Sequence, residues 1–145
     1  MKDLSIAEYR ALAELRYRIR TFVHFSEEQA RAHGLEPQQH QLLLAIKGLP
    51  GGRRPTVGEL AERLRLKHHS TVELVDRLVA NGTVIRRPGK QDKREVIVSL
   101  TPSGATLLRK LTLAHRQELD KTGPELARSL RVAMRNNRKE KMQAA

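Results

Sequence analysis

Three observations place this chain in the mainly α class with one small β-hairpin. Apolar residues recur at helical spacing from Ser5 to Ala80 and again beyond Pro102. Between these stretches, Thr83 to Arg87 and Arg94 to Leu100 read as strands flanking a turn-forming run, Pro88-Gly89-Lys90-Gln91-Asp92-Lys93. Two short helix patterns, TVGELAERLRL and HHSTVELVDRLVANG, lead directly into that hairpin. Two short helices joined by a tight turn and followed by a hairpin predict a helix-turn-helix with a wing.

Each element has its own signal. With 145 residues the chain is long enough to bury an independent core. Ser5 and Glu8 have the spacing of a capping box, in which each side chain satisfies the other residue's orphan backbone N–H, so a long first helix starts there. It runs to His33, its apolar positions including Leu12, Leu15, Ile19, Phe22 and Val23, and Gly34 ends it. Pro37 opens a second helix, where its missing N–H costs nothing, and this helix reaches about Leu49. Leu42 to Ile46 make it apolar nearly all round, which predicts burial on more than one side. Pro50 to Pro55 form a loop whose Arg53 and Arg54 face either a phosphate backbone or water. Thr56 and Glu59 start the third helix at Val57, with Val57, Leu60, Ala61 and Leu64 inward. Ser70 and Glu73 repeat the capping signature, and Leu74, Val75, Leu78 and Val79 turn inward before Gly82 stops the fourth helix.

In the second strand, Val96, Val98 and Leu100 alternate with Glu95, Ile97 and Ser99, so one face packs and the other is exposed. Thr101 then caps a helix with Pro102 at its first position, passing through Leu107, Leu108, Leu111, Leu113 and Leu119. Gly123-Pro124 is predicted to break it. Glu125 to Asn137, carrying Leu126, Leu130, Ala133 and Met134, makes a further helix before a polar tail with Arg138, Lys139 and Lys141 that frays.

The formal net charge is +12, an excess that points to a polyanionic partner, most commonly nucleic acid. Its placement agrees: Arg86, Arg87, Lys90, Lys93 and Arg94 crowd the hairpin against Asp92 and Glu95 alone. A recognition helix needs an apolar back and a polar front that meets base edges in the major groove. The fourth helix has both. His69 and Ser70, near its amino end, are placed to hydrogen-bond to base edges or phosphate, with His68 beside them. Val72 on the rim suits a thymine methyl, and Glu73 either accepts from a cytosine amine or only completes the capping box. Lys67 and Arg77 suit phosphates, which add affinity but little sequence information. The hairpin cations would flank a backbone or enter the minor groove. Asp92 would hold an arginine by charge-assisted hydrogen bonds and so preorganise the tip, or else form a surface ion pair of little value.

The run Asp92-Lys93-Arg94, followed after five residues by Leu100-Thr101-Pro102-Ser103-Gly104, resembles the D-x-R…L-T-x-x-G signature of the MarR family of transcriptional regulators. Gly34 to His40 is similar to that family's approach to its second helix, and Leu60 to Leu64 and Leu74 to Leu78 resemble its helix-turn-helix core. The likeness runs from Ser5 to about Leu119. It implies a homodimer in which N- and C-terminal helices interlock, residues 1–49 and 102–145 serving dimerisation and 50–101 forming the winged DNA-binding region. It also implies a dimeric repressor binding an inverted repeat in double-stranded DNA, and an effector pocket where dimerisation helices meet the winged domain. Tyr17, Phe22, His40, Leu44 and His115 are the candidates for that pocket, with a small aromatic acid as ligand. Thr83 departs from the apolar residue usual after the glycine, and the last helix is weakly patterned. The absence of cysteine excludes thiol-based sensing.

Other chemistry has little support. The sequence contains no G-x-S-x-G, H-E-x-x-H or phosphate-binding loop motif, so no catalysis and no cofactor are expected. His33, Glu36, His40 and His115 would make a metal-responsive repressor conceivable if their helices converge, but no H-x-x-x-H pair occurs and hydrogen-bonded histidines are the reading preferred. A winged-helix module binding an acidic protein is the alternative from another class. With no cysteine, no secretory apolar core and no membrane-length apolar run, a cytoplasmic protein without membrane association is expected.

Overall fold

The structure, a computed structural model, describes the backbone of residues 3–144 and the side chains of residues 3–135. Five helices and one hairpin follow in the order α1 (Ile6–Ala32), α2 (Pro37–Lys47), α3 (Val57–Leu64), α4 (His68–Ala80), β1 (Val84–Pro88), β2 (Val96–Leu100) and α5 (Pro102–Ala144). Among the described residues no helix is long and apolar enough to cross a membrane. Two compact units are present: the chain up to Glu28 together with the chain from Leu113 onward, and Gln29–Thr112.

Within Gln29–Thr112, three helices end by one device. At Gly34, φ is 79°, the Gly34 N–H donates to Arg31 O and the Leu35 N–H donates to Ala30 O at 2.9 Å. This Schellman motif satisfies orphan carbonyls and drives an apolar residue into the core, here the buried Leu35. Gly82 and Thr83 repeat it on α4, the Thr83 N–H reaching Leu78 O at 3.1 Å. Arg65 and Leu66 repeat it on α3, although Arg65 carries a Cβ at φ 55°. A left-handed arginine costs about 1–2 kcal/mol. The sequence offered no glycine there to mark the turn.

That turn moves the start of α4. Lys67 is the N-cap and the helix begins at His68, so the predicted Ser70–Glu73 capping box does not form. Leu66, packed against the core, fixes where the chain re-enters, and tertiary packing overrides the local capping signature. Thr71, rather than Val79, takes the fourth inward position beside Leu74, Val75 and Leu78. Its buried hydroxyl donates to Lys67 O at 3.0 Å, while Val79 is 37% exposed. Leu44 also differs from expectation at 42% exposed, because α2 packs against α3, α4 and β2 through Leu42 and Leu43 and leaves its outer side in water.

The strands are antiparallel, pairing Val84 with Leu100, Arg86 with Val98 and Pro88 with Val96 on one face, and Ile85 with Ser99 and Arg87 with Ile97 on the other. Val84 and Val98 bury the first face. The far edge of β2 is covered: Pro55 O accepts from the Val98 N–H at 2.9 Å and Thr56 bridges Ile97. The core of this unit gathers Leu42, Leu43, Leu60, Val75, Leu78, Val84, Val98 and Leu111, all fully buried.

Helix α5 starts against the end of α4. Thr101 Oγ1 accepts from the Gly104 N–H, donates to Gly82 O at 2.6 Å, and Ser103 Oγ donates to the same carbonyl at 3.0 Å. A Cβ on Gly104 would lie 2.0 Å from Thr83 O, so the glycine of the L-T-x-x-G run is a packing requirement. Thr83 itself is buried. Its hydroxyl lies 2.6 Å from Asn81 Oδ1 and 3.2 Å from Leu78 O, so a polar side chain is satisfied where an apolar one is usual.

The predicted break at Gly123-Pro124 does not occur: α5 is one helix of 43 residues with Pro124 inside it. Proline clashes with the Cβ of a preceding helical residue, and Gly123 has none. The expected second C-terminal helix is therefore the continuation of the first. The side chains of Arg138, Lys139 and Lys141 lie outside the described residues.

In the unit made of the chain up to Glu28 and from Leu113 onward, the buried residues described are small: Ala11, Ser26 and Ser129. Large apolar side chains are instead exposed, among them Ile6, Tyr9, Leu12 and Val23 on α1 and Leu119, Leu130 and Met134 on α5.

Candidate nucleic-acid interface

Inward-facing Thr71, Leu74, Val75 and Leu78 determine what α4 presents outward. At 100° per residue, His69, Glu73, Asp76 and Ala80 occupy the opposite arc, with Ser70 and Arg77 on one flank and His68 and Val72 on the other. His68, His69, Glu73 and Arg77 are exposed, and Ser70 and Val72 are half-buried. Glu73 has no capping role, so its carboxylate stands on the outward arc. Lys67, at the N-cap, is exposed beside the first turn.

The flank carrying His68 and Val72 faces the hairpin. A groove of about 370 Å³ brings these two residues together with Arg86, Arg94 and Val96 of the wing and with the amino end of α3 at Val57 and Gly58. Arg86 forms an ion pair with Asp76 of α4, tying wing to helix. This pairing is visible only once β1 and α4 are neighbours.

The rest of the wing divides by face. Arg87 projects from the opposite side of the hairpin and donates to Ser99 Oγ at 2.9 Å. Lys90, Asp92, Lys93 and Arg94 are exposed around the turn. Asp92 does not grip a guanidinium: its Oδ1 accepts from the Arg94 backbone N–H at 3.0 Å, an Asx-type turn. The turn closes further through Glu95 N–H to Asp92 O and Gly89 N–H to Glu95 O at 2.9 Å. Preorganisation of the tip is thus a backbone effect, and the Arg94 side chain stays available to the groove. The loop arginines are committed elsewhere, Arg54 to Glu95 at 2.6 Å and Arg53 to Glu59 at 3.4 Å.

The five candidate effector residues do not share one unit. Phe22 and His115 meet, their ring centroids 5.9 Å apart, with Phe25 5.3 Å from His115 and Ser26 Oγ 2.8 Å from His115 Nε2. Phe25 and Ser26 were missed, since nothing in a helical repeat marks them from other α1 positions. Tyr17 is exposed beneath the Arg18 guanidinium. His40, buried, and Leu44 belong to Gln29–Thr112. His33 Nδ1 lies 2.8 Å from Gln29 O, and among the described residues no three His, Asp or Glu side chains are grouped to hold a metal ion.

A helix-turn-helix whose second helix shares a groove with a basic hairpin defines a winged-helix transcriptional regulator. The comparisons agree. The family model described as MarR family matches residues 33–95. The HTH-type transcriptional regulator MT0903.1 of Mycobacterium tuberculosis is 30% identical over 134 residues, covering 92% of this chain and 84% of that protein. AbsC, a MarR family transcriptional regulator from Streptomyces coelicolor, superposes with a TM-score of 0.72 at 20% identity, over 87% of this chain and 84% of its own. A mutant MarR from E. coli, complexed with operator DNA, superposes with a TM-score of 0.64 at 25% identity, over 83% of this chain and 88% of its own. The chain belongs to the MarR family, and it is a DNA-binding regulator, not an enzyme.

Proposed function

We propose that the chain is a homodimeric repressor that binds an inverted repeat in the cytoplasm and is released by a small ligand. The observation that carries the DNA half is the groove in which His68 and Val72 of α4 meet Arg86 and Arg94 of the wing. Helix and wing then engage the major groove and the adjacent backbone together, with His69 and Ser70 at the amino end toward base edges and Lys67, Arg77, Arg87, Lys90 and Lys93 toward phosphates. The dimer half is supported by the apolar side chains that α1 and α5 leave exposed, for which a second copy is the occupant. The ligand half is supported by the aromatic corner of Phe22, Phe25 and His115. A small aromatic acid suits that corner.

Two-fold symmetry requires half-sites about one helical turn, roughly 34 Å, apart. The test is binding to DNA upstream of the protein's own gene across a salt series, with sedimentation analysis of the free protein. A concentration-dependent dimer that prefers the full repeat over a half-site supports the proposal. A monomer that binds both equally, or a protein that prefers an acidic polypeptide to any duplex, overturns it.

A further inference from the structure

Two acids stand on the outward arc of α4, Glu73 and Asp76, in a chain whose formal net charge is +12. They differ in what holds them. Asp76 lies toward the hairpin and is paired with Arg86. Glu73 lies about 60° further round the helix, toward Ser70 and Arg77 and away from the wing. It is exposed, and among the described residues no side chain pairs with it. The capping box with Ser70 that would have occupied its carboxylate is absent, because α4 starts at His68. One turn before it on the same side of the helix stands His69.

An unpaired carboxylate on the face that meets DNA opposes binding to every duplex, by repulsion from phosphates and by lost hydration. Only a hydrogen-bond donor in the groove offsets this. The donors on the major-groove edges are the amino groups at cytosine N4 and adenine N6. Adenine presents its N7 acceptor beside N6, which suits an amide and repels the second oxygen of a carboxylate; cytosine presents N4 alone. We propose that Glu73 is a specificity-determining residue: it accepts from the N4 amine of one cytosine in each half-site, and its charge weakens the hold of this strongly basic chain on duplexes lacking that cytosine. The inference rests on α4 being the helix that enters the major groove, as the proposed function has it. An unpaired charge set against the wrong sequence separates right from wrong as well as an added contact to the right one does. The wing cations raise affinity for cognate and random DNA alike, and Glu73 subtracts from the second.

The experiment lets the wild-type full chain select its site from a random duplex library. Affinities of wild type, Glu73→Ala, Glu73→Gln and Glu62→Ala are then measured for that site, its single-base variants and a random duplex. Glu73→Ala should bind the selected site about tenfold more weakly and the random duplex more tightly, a change of opposite sign that a misfolded variant does not give. At one cytosine of each half-site the four bases should become equivalent. Glu73→Gln should move the preference at that position toward adenine, whose N6 and N7 match an amide. Glu62, an exposed acid on α3, reports the charge alone, so Glu62→Ala should change both duplexes by one factor. If Glu73→Ala tightens both duplexes alike, or keeps every base preference of the wild type, the proposal is overturned while the DNA reading stands. A wild-type selection that enriches no sequence overturns the DNA reading itself, and this inference falls with it.

Discussion

At the residue scale, Gly104 and Asp92 each hold a backbone in place. Gly104→Ala puts a methyl into the Thr83 carbonyl, a contact no rotamer relieves, so either α5 or the α4 end must shift. The expected cost is about 3 kcal/mol, the upper part of the overpacking range, read as a lowered urea midpoint. Asp92 separates charge from geometry. Asp92→Asn keeps the acceptor for the Arg94 N–H and removes a negative charge near phosphate, so DNA affinity at low salt should rise. Asp92→Ala removes the acceptor as well, and affinity should fall below that of Asp92→Asn. Equal affinities for the two variants would show that the turn does not depend on this bond. Glycine punctuation made Gly34 and Gly82 readable in the sequence. Arg65 was not readable, because an arginine in the left-handed region has no local signature and is held there by the packing of Leu66. The carboxylate of Asp92 was expected to hold an arginine side chain and instead accepts from the Arg94 backbone N–H, because chain proximity favours an N–H two residues on over a mobile guanidinium.

At the scale of elements, the proposed function divides recognition between helix and wing. His69 lies on the outward arc of α4, so His69→Ala should reduce preference for operator over random duplex by about 1–3 kcal/mol if a base contact is lost. Arg94→Ala should weaken both duplexes alike and lower the salt slope by about one unit per lost phosphate contact. A preserved slope with lost selectivity would instead assign sequence reading to the wing. In α5, Pro124 leaves one carbonyl without its helical donor, so Pro124→Ala should raise thermal stability by about 1–3 kcal/mol without changing helical content. A drop in stability would mean the proline's local geometry is used in packing. The existence and order of the elements were legible from apolar periodicity and turn residues. The continuity of α5 was not, since a Gly-Pro pair read locally is a breaker, and only a helix long enough to continue on both sides shows that Gly123 accommodates the ring. The start of α4 was misplaced for a related reason: three capping signatures looked alike, but whereas Ser5 and Thr56 accept from the Glu8 and Glu59 N–H groups, Ser70 already lies inside the helix that Lys67 caps.

At the scale of the whole molecule, the apolar repeat of α1 announced a buried face, yet within the chain that face stays open at Leu12 and Val23. A sequence states that a helix has an apolar side, not which chain will cover it. Likewise the cations of the wing were visible as a cluster, whereas their division between the α4 face and the opposite face depends on strand register. The bonds at Gly82 have a mechanical meaning. Thr101 and Ser103 both hang on the Gly82 carbonyl, at the far end of α4 from His68 and His69. With 13 residues, α4 is a lever arm about 20 Å long, pivoted where α5 begins. A tilt of about 5° at the pivot displaces the opposite end by about 1.7 Å, several times the roughly 0.5 Å tolerance of a preorganised site. Cutting the linkage with Thr101→Val and Ser103→Ala together should broaden the distance distribution between spin labels at His69 and Ala105, whereas an unchanged distribution would place the pivot elsewhere. If His69 meets a base edge as proposed, angular displacement of the first turn of α5, too small to disturb any bond in the core, suffices to withdraw it from hydrogen-bonding reach.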